Sequence, residues 1–111
     1  MMKLLKFKQE YFDLIKQGKK TQTMRMSQKR LDVNPGDRVI GIFPDGKEVL
    51  LEILAVGYKA FKSIDDEDAK REGFENAEEL KKVLCEIYSE YNIQEYNRFY
   101  YYRFDCMGWT K

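Results

Sequence analysis

The chain has 111 residues and a formal net charge of +1, and 43% of its residues are hydrophobic, 35% charged and 14% aromatic. This composition excludes an intrinsically disordered protein, and the length predicts one domain with one core, residues 1–111. No apolar run approaches the roughly 20 residues of a membrane helix, and the lysine-rich N-terminus is too poor in apolar residues for a signal peptide, so we expect a cytoplasmic protein without a membrane partner.

The first 26 residues predict two strands around one short helix. Residues 3–8 alternate imperfectly, with Leu5 and Phe7 directed inward and Lys6 and Lys8 outward, which predicts a first strand. Residues 9–17 carry apolar side chains at helical spacing, and Gly18 is the residue type that commonly ends a helix. Residues 21–26 predict the second strand.

The middle of the chain predicts a hairpin. Residues 38–43 and 48–58 are rich in Val, Leu and Ile, and the turn residues Pro44-Asp45-Gly46-Lys47 separate them.

The acidic part of the chain predicts two helices and a last strand. A capping box that starts at Ser63 opens a helix that Gly73 ends, and Asn76 begins a second helix with an apolar stripe. The β-favouring residues 98–106 predict the final strand. Because the elements do not alternate as βαβ units, we expect an α+β domain with a small curved, mostly antiparallel sheet or open β-barrel and two to three flanking helices.

The chain contains no histidine, and its two cysteines, Cys85 and Cys106, are far apart in the sequence. Zinc sites are built mainly from these residue types, so we expect no metal, and no residue pattern indicates another cofactor. Because cysteine is among the residue types most often buried, we expect both to be buried free thiols.

Charge is unevenly distributed along the sequence. Residues 1–30 hold nine Lys or Arg and two acids, whereas the remaining 81 residues hold eleven basic and seventeen acidic side chains. Such segregation produces a local positive field that suits a phosphate-bearing partner or substrate. The same pattern also fits a solvated basic face opposite a solvated acidic helix.

The segment after the first predicted helix carries the best candidates for chemistry. A hydroxyl needs a base to act as a nucleophile, and without histidine a desolvated lysine such as Lys20 is one of the few substitutes. Thr23 is the candidate nucleophile, and Arg25, on the same strand face, could hold a carbonyl or phosphate. The alternative is an ordinary strand with an exposed lysine and arginine.

A carboxylate near Lys20 could relay protons, and Glu72, at the end of the first acidic helix, is the candidate. Alone it is only one of eleven acids between Asp65 and Glu95.

The basic segment of residues 19–30 contains no acid. We consider Lys19, Lys29 and Arg30 as possible contacts to RNA or phosphate, with Tyr100, Tyr101 and Tyr102 as candidates for base stacking. Packing of one face of the tyrosine run into the core is the alternative.

Several segments in a fixed order resemble the ASCH domain, a member of the PUA-like superfamily. They are Ile15-Lys16-Gln17-Gly18-Lys19-Lys20-Thr21, Thr23-x-Arg25, Pro35-Gly36-Asp37, the hydrophobic hairpin, Asp68-Ala69-Lys70-Arg71-Glu72-Gly73-Phe74 and Glu78-Glu79-Leu80-Lys81-Lys82-Val83. The version with lysine, threonine and arginine is similar to the small bacterial N(4)-acetylcytidine amidohydrolases.

This resemblance implies a catalytic set of Lys20, Thr23 and Glu72 that removes the acetyl group from N(4)-acetylcytidine or a related acylated nucleoside. Gln22 and Met24 depart from the pattern, because those enzymes usually have branched apolar residues beside the threonine. The alternative function is a non-catalytic RNA-binding module, or an RNA-cleaving relative. The expected partner is thus a nucleoside or RNA, and we expect a monomer or weak dimer.

Overall fold

The protein was analysed as a computed structural model, which describes residues 2–26 and 30–109. Five strands form one sheet, and their bounds are β1 Lys3–Lys6, β2 Gln22–Arg25, β3 Arg38–Ile42, β4 Glu48–Ala60 and β5 Arg98–Trp109. The helices are α1 Phe12–Lys16, α2 Asp66–Glu72 and α3 Ala77–Ile87, with single 3-10 turns at Gln9–Tyr11 and Phe61–Ser63.

The strands lie in the order β1-β3-β4-β5-β2, and only the β1–β3 pair is parallel. The long strand β4 has irregularities at Leu50/Leu51 and Ile53/Ala55, and bulges of this kind increase the local twist. The sheet is therefore curled into a half-barrel. The predicted α+β class, with a mostly antiparallel curved sheet and flanking helices, is confirmed.

Two apolar clusters pack against the sheet. The larger cluster joins buried side chains of β1, β3, β4 and β5 to the rings of Phe7, Phe12 and Phe43. The smaller cluster joins Met24 of β2 to the buried residues of α2, α3 and Phe99. Strand β2 lies at the boundary between them, and Gln22, Thr23 and Met24 are all buried.

Helix α2 begins two residues later than predicted. Ser63 belongs to the preceding 3-10 turn, and Asp65 is the N-cap, with a capping box in which Asp65 and Asp68 each accept a hydrogen bond from the other's backbone N–H. A carboxylate caps a helix as well as a hydroxyl does, so Asp65 can take the position that the sequence pattern assigned to Ser63. The predicted end at Gly73 is confirmed by its left-handed φ of 97°.

The N-cap of α3 is Asn76, as predicted, and its side chain accepts a hydrogen bond from the backbone of Glu79. The predicted helix over residues 9–17 is instead a 3-10 turn followed by the five-residue α1.

The expected burial of both cysteines is wrong, although both are free thiols. Cys85 is exposed and Cys106 half-buried. Cys85 follows buried Leu84 on α3, and one residue along a helix turns a side chain away from the packed face.

Trp109, the one tryptophan of the sequence, ends β5. Its ring is 45% exposed, and the Lys16 ammonium lies 5.3 Å from the ring centroid. No helix in the described part of the chain has the length and apolar character to cross a membrane.

Candidate active site

A buried amine and a buried carboxylate meet between α1 and α2. The Nζ atom of Lys20 lies 3.2 Å from Oε1 of Glu72 and also donates to the backbone carbonyl of Glu72 at 3.2 Å. Both residues are only 3% exposed. The two are separated by 52 positions in the sequence, and the fold brings them into direct contact.

The backbone fixes this contact. The N–H of Thr21 donates to the carbonyl of Arg71 at 2.7 Å, which joins the segment after α1 to the last turn of α2. Gly73 directly follows Glu72, and a Cβ built on it would lie 3.9 Å from Cβ of Lys20. The left-handed glycine thus ends the helix at Glu72 beside the lysine.

Thr23 and Arg25 are held together on the same face of β2, as predicted. Nε of Arg25 donates to Oγ1 of Thr23 at 3.2 Å, and Nη2 donates to the backbone carbonyl of Lys6 at 2.6 Å. The guanidinium also lies 5.1 Å from the ring centroid of Phe7. Three contacts therefore fix the arginine, and Thr23 itself is 6% exposed.

Glu72 is also bonded to the strand that carries Thr23. The backbone N–H of Met24 donates to Oε1 of Glu72 at 3.3 Å. The other carboxyl oxygen, Oε2, is buried and has no hydrogen-bond partner among residues 2–26 and 30–109. No hydrogen bond to a described residue therefore has to break when Oε2 gains or loses a proton.

All four of these side chains line one cavity of about 190 Å³. The polar side is formed by Lys20, Thr23, Arg25 and Glu72, with Lys6 and Lys8 also on the lining. The rest of the lining is mainly apolar and includes Phe74 and the α3 residues Leu80, Val83, Leu84, Ile87 and Tyr88. An apolar pocket with a few convergent polar groups is the usual form of a small-molecule site.

Burial shifts the pKa values of both members of the ion pair toward the neutral forms. Desolvation lowers the pKa of Lys20 from its ordinary value of 10.5, although Glu72 opposes this shift. Desolvation raises the pKa of Glu72 from its ordinary value of 4.5, and Lys20 opposes that shift in turn. The site therefore favours an uncharged amine and a protonated carboxyl more strongly than water does.

The predicted RNA and phosphate contacts are not on this cavity. Lys19 is exposed, and Arg30 donates to the backbone carbonyl of Val33; neither lines the cavity. Lys29 lies outside the described residues. Tyr102 is buried and accepts a hydrogen bond from the backbone of Leu31, so its proposed stacking on bases is wrong.

Lys6, Lys8 and α3 are part of the cavity although the sequence does not indicate it. Alternation along residues 3–8 predicts only that the two lysines point away from the core, and the apolar stripe of α3 predicts only a packed helix face. Leu80 and Leu84 are indeed buried, but Ile87 is 40% exposed and lies on the cavity wall. An apolar residue at the end of a helical stripe was the available signal. No group of three acidic or cysteine side chains within the described residues could hold a metal ion.

Gln22 is fully buried beside this site in a hydrogen-bonded network. Its Nε2 donates to Oδ1 of Asp68 at 3.3 Å, and its Oε1 accepts from Nε of Arg103 at 3.0 Å. Oδ2 of Asp68 accepts from Nζ of Lys59 at 2.7 Å. The network joins β2, β4, β5 and α2, and it gives hydrogen-bond partners to a polar side chain that the fold buries completely.

The substitution Gln22→Leu is expected to lower the free energy of unfolding by about 1–3 kcal/mol, because it removes a partner from both Asp68 and Arg103 in a buried setting. Urea denaturation measures this change. The matched control is Gln9→Leu, whose exposed amide donates to Asp45; a surface change of this kind is expected to stay within about 0.5 kcal/mol. Equal effects of the two substitutions would contradict the structural role of Gln22.

Searches against family models and curated proteins find no match to this sequence. Solved structures do match. An ASCH domain from Lactobacillus crispatus has a TM-score of 0.74 at 18% identity, covering 85% of this chain and 68% of that one. Protein EF3133 from Enterococcus faecalis, of the family DUF984, has a TM-score of 0.73 at 13% identity, covering 87% of this chain and 66% of that one. The hypothetical protein PH0355 has a TM-score of 0.71 at 26% identity, covering 96% of this chain and 100% of that one.

Proposed function

We propose that the chain, which has the fold of an ASCH domain, is an amidohydrolase that removes the acetyl group from N(4)-acetylcytidine or a related acylated nucleoside. The observation that carries the proposal is the meeting of Lys20, Thr23 and Glu72 at one cavity. These are the residues that the resemblance to the N(4)-acetylcytidine amidohydrolases implies. An amine, a hydroxyl and a carboxyl are also the groups that acyl transfer requires.

The first half of the reaction begins from the neutral pair that burial favours. The amine of Lys20 accepts the proton of the Thr23 hydroxyl as Oγ1 attacks the acetyl carbonyl. The protonated carboxyl of Glu72 then donates its proton to the exocyclic nitrogen of the base as the carbon–nitrogen bond breaks. The products are the nucleobase with its free exocyclic amino group, an acetyl ester on Thr23, a lysine ammonium and a glutamate carboxylate.

The second half restores the enzyme. The Glu72 carboxylate accepts a proton from water, whose oxygen attacks the ester carbonyl, and the Lys20 ammonium returns a proton to Oγ1 of Thr23 as the ester bond breaks. Acetic acid leaves, and the neutral pair is formed again. Lys20 and Glu72, which share one proton, therefore supply the acid and the base for both halves of the reaction, and no other acid or base is needed.

Arg25 prepares the hydroxyl for this role. A guanidinium only donates hydrogen bonds, so Oγ1 of Thr23 acts as acceptor toward Arg25 and its own proton stays available to Lys20. The fixed positive charge also stabilises the negative charge that develops on the attacking oxygen.

The cavity suits a flat ring more than a large ligand. Its volume of about 190 Å³ is below the roughly 300–1,000 Å³ of pockets for drug-sized molecules. The nucleobase and its acetyl group would occupy the cavity, against its apolar residues, which include Phe74 and Tyr88. The sugar would then lie at the mouth.

The direct test is incubation of the purified protein with N(4)-acetylcytidine, with chromatography of cytidine and acetate. Release of both in equal amounts supports the proposal, and intact substrate would contradict it. The alternative of a non-catalytic RNA-binding module predicts salt-sensitive RNA binding that Thr23→Ala does not change.

A bell-shaped dependence of turnover on pH is expected, with both limbs between pH 4.5 and 10.5. Activity rises as Lys20 loses its proton at a pKa below 10.5, and it falls as Glu72 loses its proton at a pKa above 4.5. The substitution Glu72→Gln is expected to remove the alkaline limb from the residual activity. An alkaline limb that persists in that variant would exclude Glu72 as the acid.

A further inference from the structure

The charge on the cavity lining is unbalanced. Its charged residues are Lys6, Lys8, Lys20, Arg25 and Glu72, so Glu72 is the one acid on the lining among the described residues. The charges of Glu72 and Lys20 sum to zero whether the pair is neutral or ionised. Three positive charges thus remain without an offsetting acid on the lining. A free nucleoside carries no charge to meet them.

Two of these charges stand at the exposed side of the cavity. Lys6 and Lys8 are both exposed and make no ion pair with any described residue. Phe7, between them, is 7% exposed. Because side chains alternate along an extended segment, the two lysines are directed to the same side, opposite to the buried ring.

The position of these lysines relative to Thr23 is fixed by the backbone. The carbonyl of Lys6 accepts from Arg25, which itself donates to Thr23. The N–H of Phe7 donates to the carbonyl of Ile42 at 3.0 Å, which ties the segment to the sheet. The two ammonium groups are therefore carried by an ordered part of the site.

We propose that Lys6 and Lys8 bind a phosphate on the sugar of the substrate, so that the preferred substrate is an acylated nucleotide with a terminal phosphate. This rests on the proposed function, because it assumes that the base enters the cavity. The sugar then leaves the mouth on the side where the two lysines stand, and a terminal phosphate carries the charge that they lack.

A single phosphate fits this surface better than an RNA backbone does. An RNA strand needs a positively charged groove that follows several phosphates. The basic residues that would extend such a groove, Lys19 and Arg30, are not on the cavity lining, and Arg30 is bonded to Val33. The basic residues of the lining therefore form a small cluster at the cavity rather than an extended groove.

The test measures the affinity of the deacylated product, so it does not depend on turnover. Isothermal titration calorimetry compares cytidine 5′-monophosphate with cytidine at low ionic strength. The nucleotide is expected to bind about tenfold more tightly, since two partly exposed contacts to a phosphate each contribute modestly. The double substitution Lys6→Ala/Lys8→Ala is expected to remove most of this preference, and about 1 M salt is expected to weaken it.

The matched control is Lys62→Ala/Lys82→Ala, which removes the same charge from exposed lysines that do not line the cavity. It is expected to keep the preference for the nucleotide. Equal affinity for cytidine and its monophosphate, a preference that survives the Lys6→Ala/Lys8→Ala change, or tighter binding of a short RNA that depends on Lys19 and Arg30 would each overturn the inference.

The two proposals can fail separately. Nucleotide binding that depends on Lys6 and Lys8, without hydrolysis of either acetylated compound, would uphold this inference and contradict the amidohydrolase. Hydrolysis of N(4)-acetylcytidine and its 5′-monophosphate at equal kcat/KM, with equal affinities of their products, would uphold the amidohydrolase and contradict this inference.

Discussion

Thr23→Ala is expected to reduce the turnover of N(4)-acetylcytidine by at least about 10²-fold, and by up to about 10⁴-fold or more, because it removes the attacking oxygen from the cavity. The fold should survive. Thr23 is 6% exposed and its hydroxyl accepts a hydrogen bond from Arg25, so the loss in the free energy of unfolding is expected to be about 1–3 kcal/mol. Steady-state kinetics and urea denaturation of the same sample separate these effects.

Two further variants distinguish a nucleophile from a packing residue. Thr23→Val keeps the shape of the side chain and is expected to be as inactive as Thr23→Ala, whereas Thr23→Ser keeps the hydroxyl and is expected to retain activity. In the wild type, quenched with acid during turnover, mass spectrometry is expected to find an acetyl group on Thr23, the ester that the proposed reaction forms. An active Thr23→Val protein would disprove the nucleophilic role.

Lys20→Met is expected to abolish turnover and to lower the free energy of unfolding by about 3–5 kcal/mol near neutral pH, because it leaves the carboxyl of Glu72 buried without the amine that pairs with it. The loss should depend on pH. Lys20 lowers the pKa of Glu72, so its removal leaves that pKa raised further above 4.5 by burial. The protonated carboxyl then contributes stability that is fully present below pH 4.5 and is lost as pH rises through the raised pKa.

The stability of Lys20→Met relative to the wild type is therefore expected to fall as pH rises above about 4.5, since each unit by which a pKa differs is worth about 1.4 kcal/mol. Urea denaturation at several pH values measures the slope. The control is Lys20→Met/Glu72→Gln, which has no buried acid at this position and is expected to lose the slope and recover most of the stability. A slope that persists in the double variant would show that another group causes it.

The fold that the sequence predicted, that of an ASCH domain, is confirmed by the match to a solved ASCH domain. It was predictable because turns and apolar strands are local properties of the sequence. Lys20, Thr23 and Arg25 were also accessible from the sequence, since they lie within six positions and their spacing sets their common face. Glu72 was different. Its chemistry alone did not distinguish it from ten neighbouring acids, and only the resemblance selected it.

The remaining features depend on contacts between distant elements. Strand alternation indicated that Lys6 and Lys8 share a side, but it does not show which element stands opposite that side. Gln22 appeared as a departure from the family pattern until its partners Asp68 and Arg103, from α2 and β5, were known. The roles of these residues are set by what packs against them.

The place of Trp109 has a practical consequence for all of these measurements. Tyr102 pairs with Thr23, and Trp109 lies seven residues further along β5, which at about 3.3 Å per residue is roughly 20 Å from the reacting groups. The indole lies instead in a separate shallow depression with Met2, Ile40 and Leu50. Its emission is therefore expected to report unfolding of the sheet without a direct contribution from a nucleotide in the cavity, so stabilisation by a bound nucleotide can be measured without an added label.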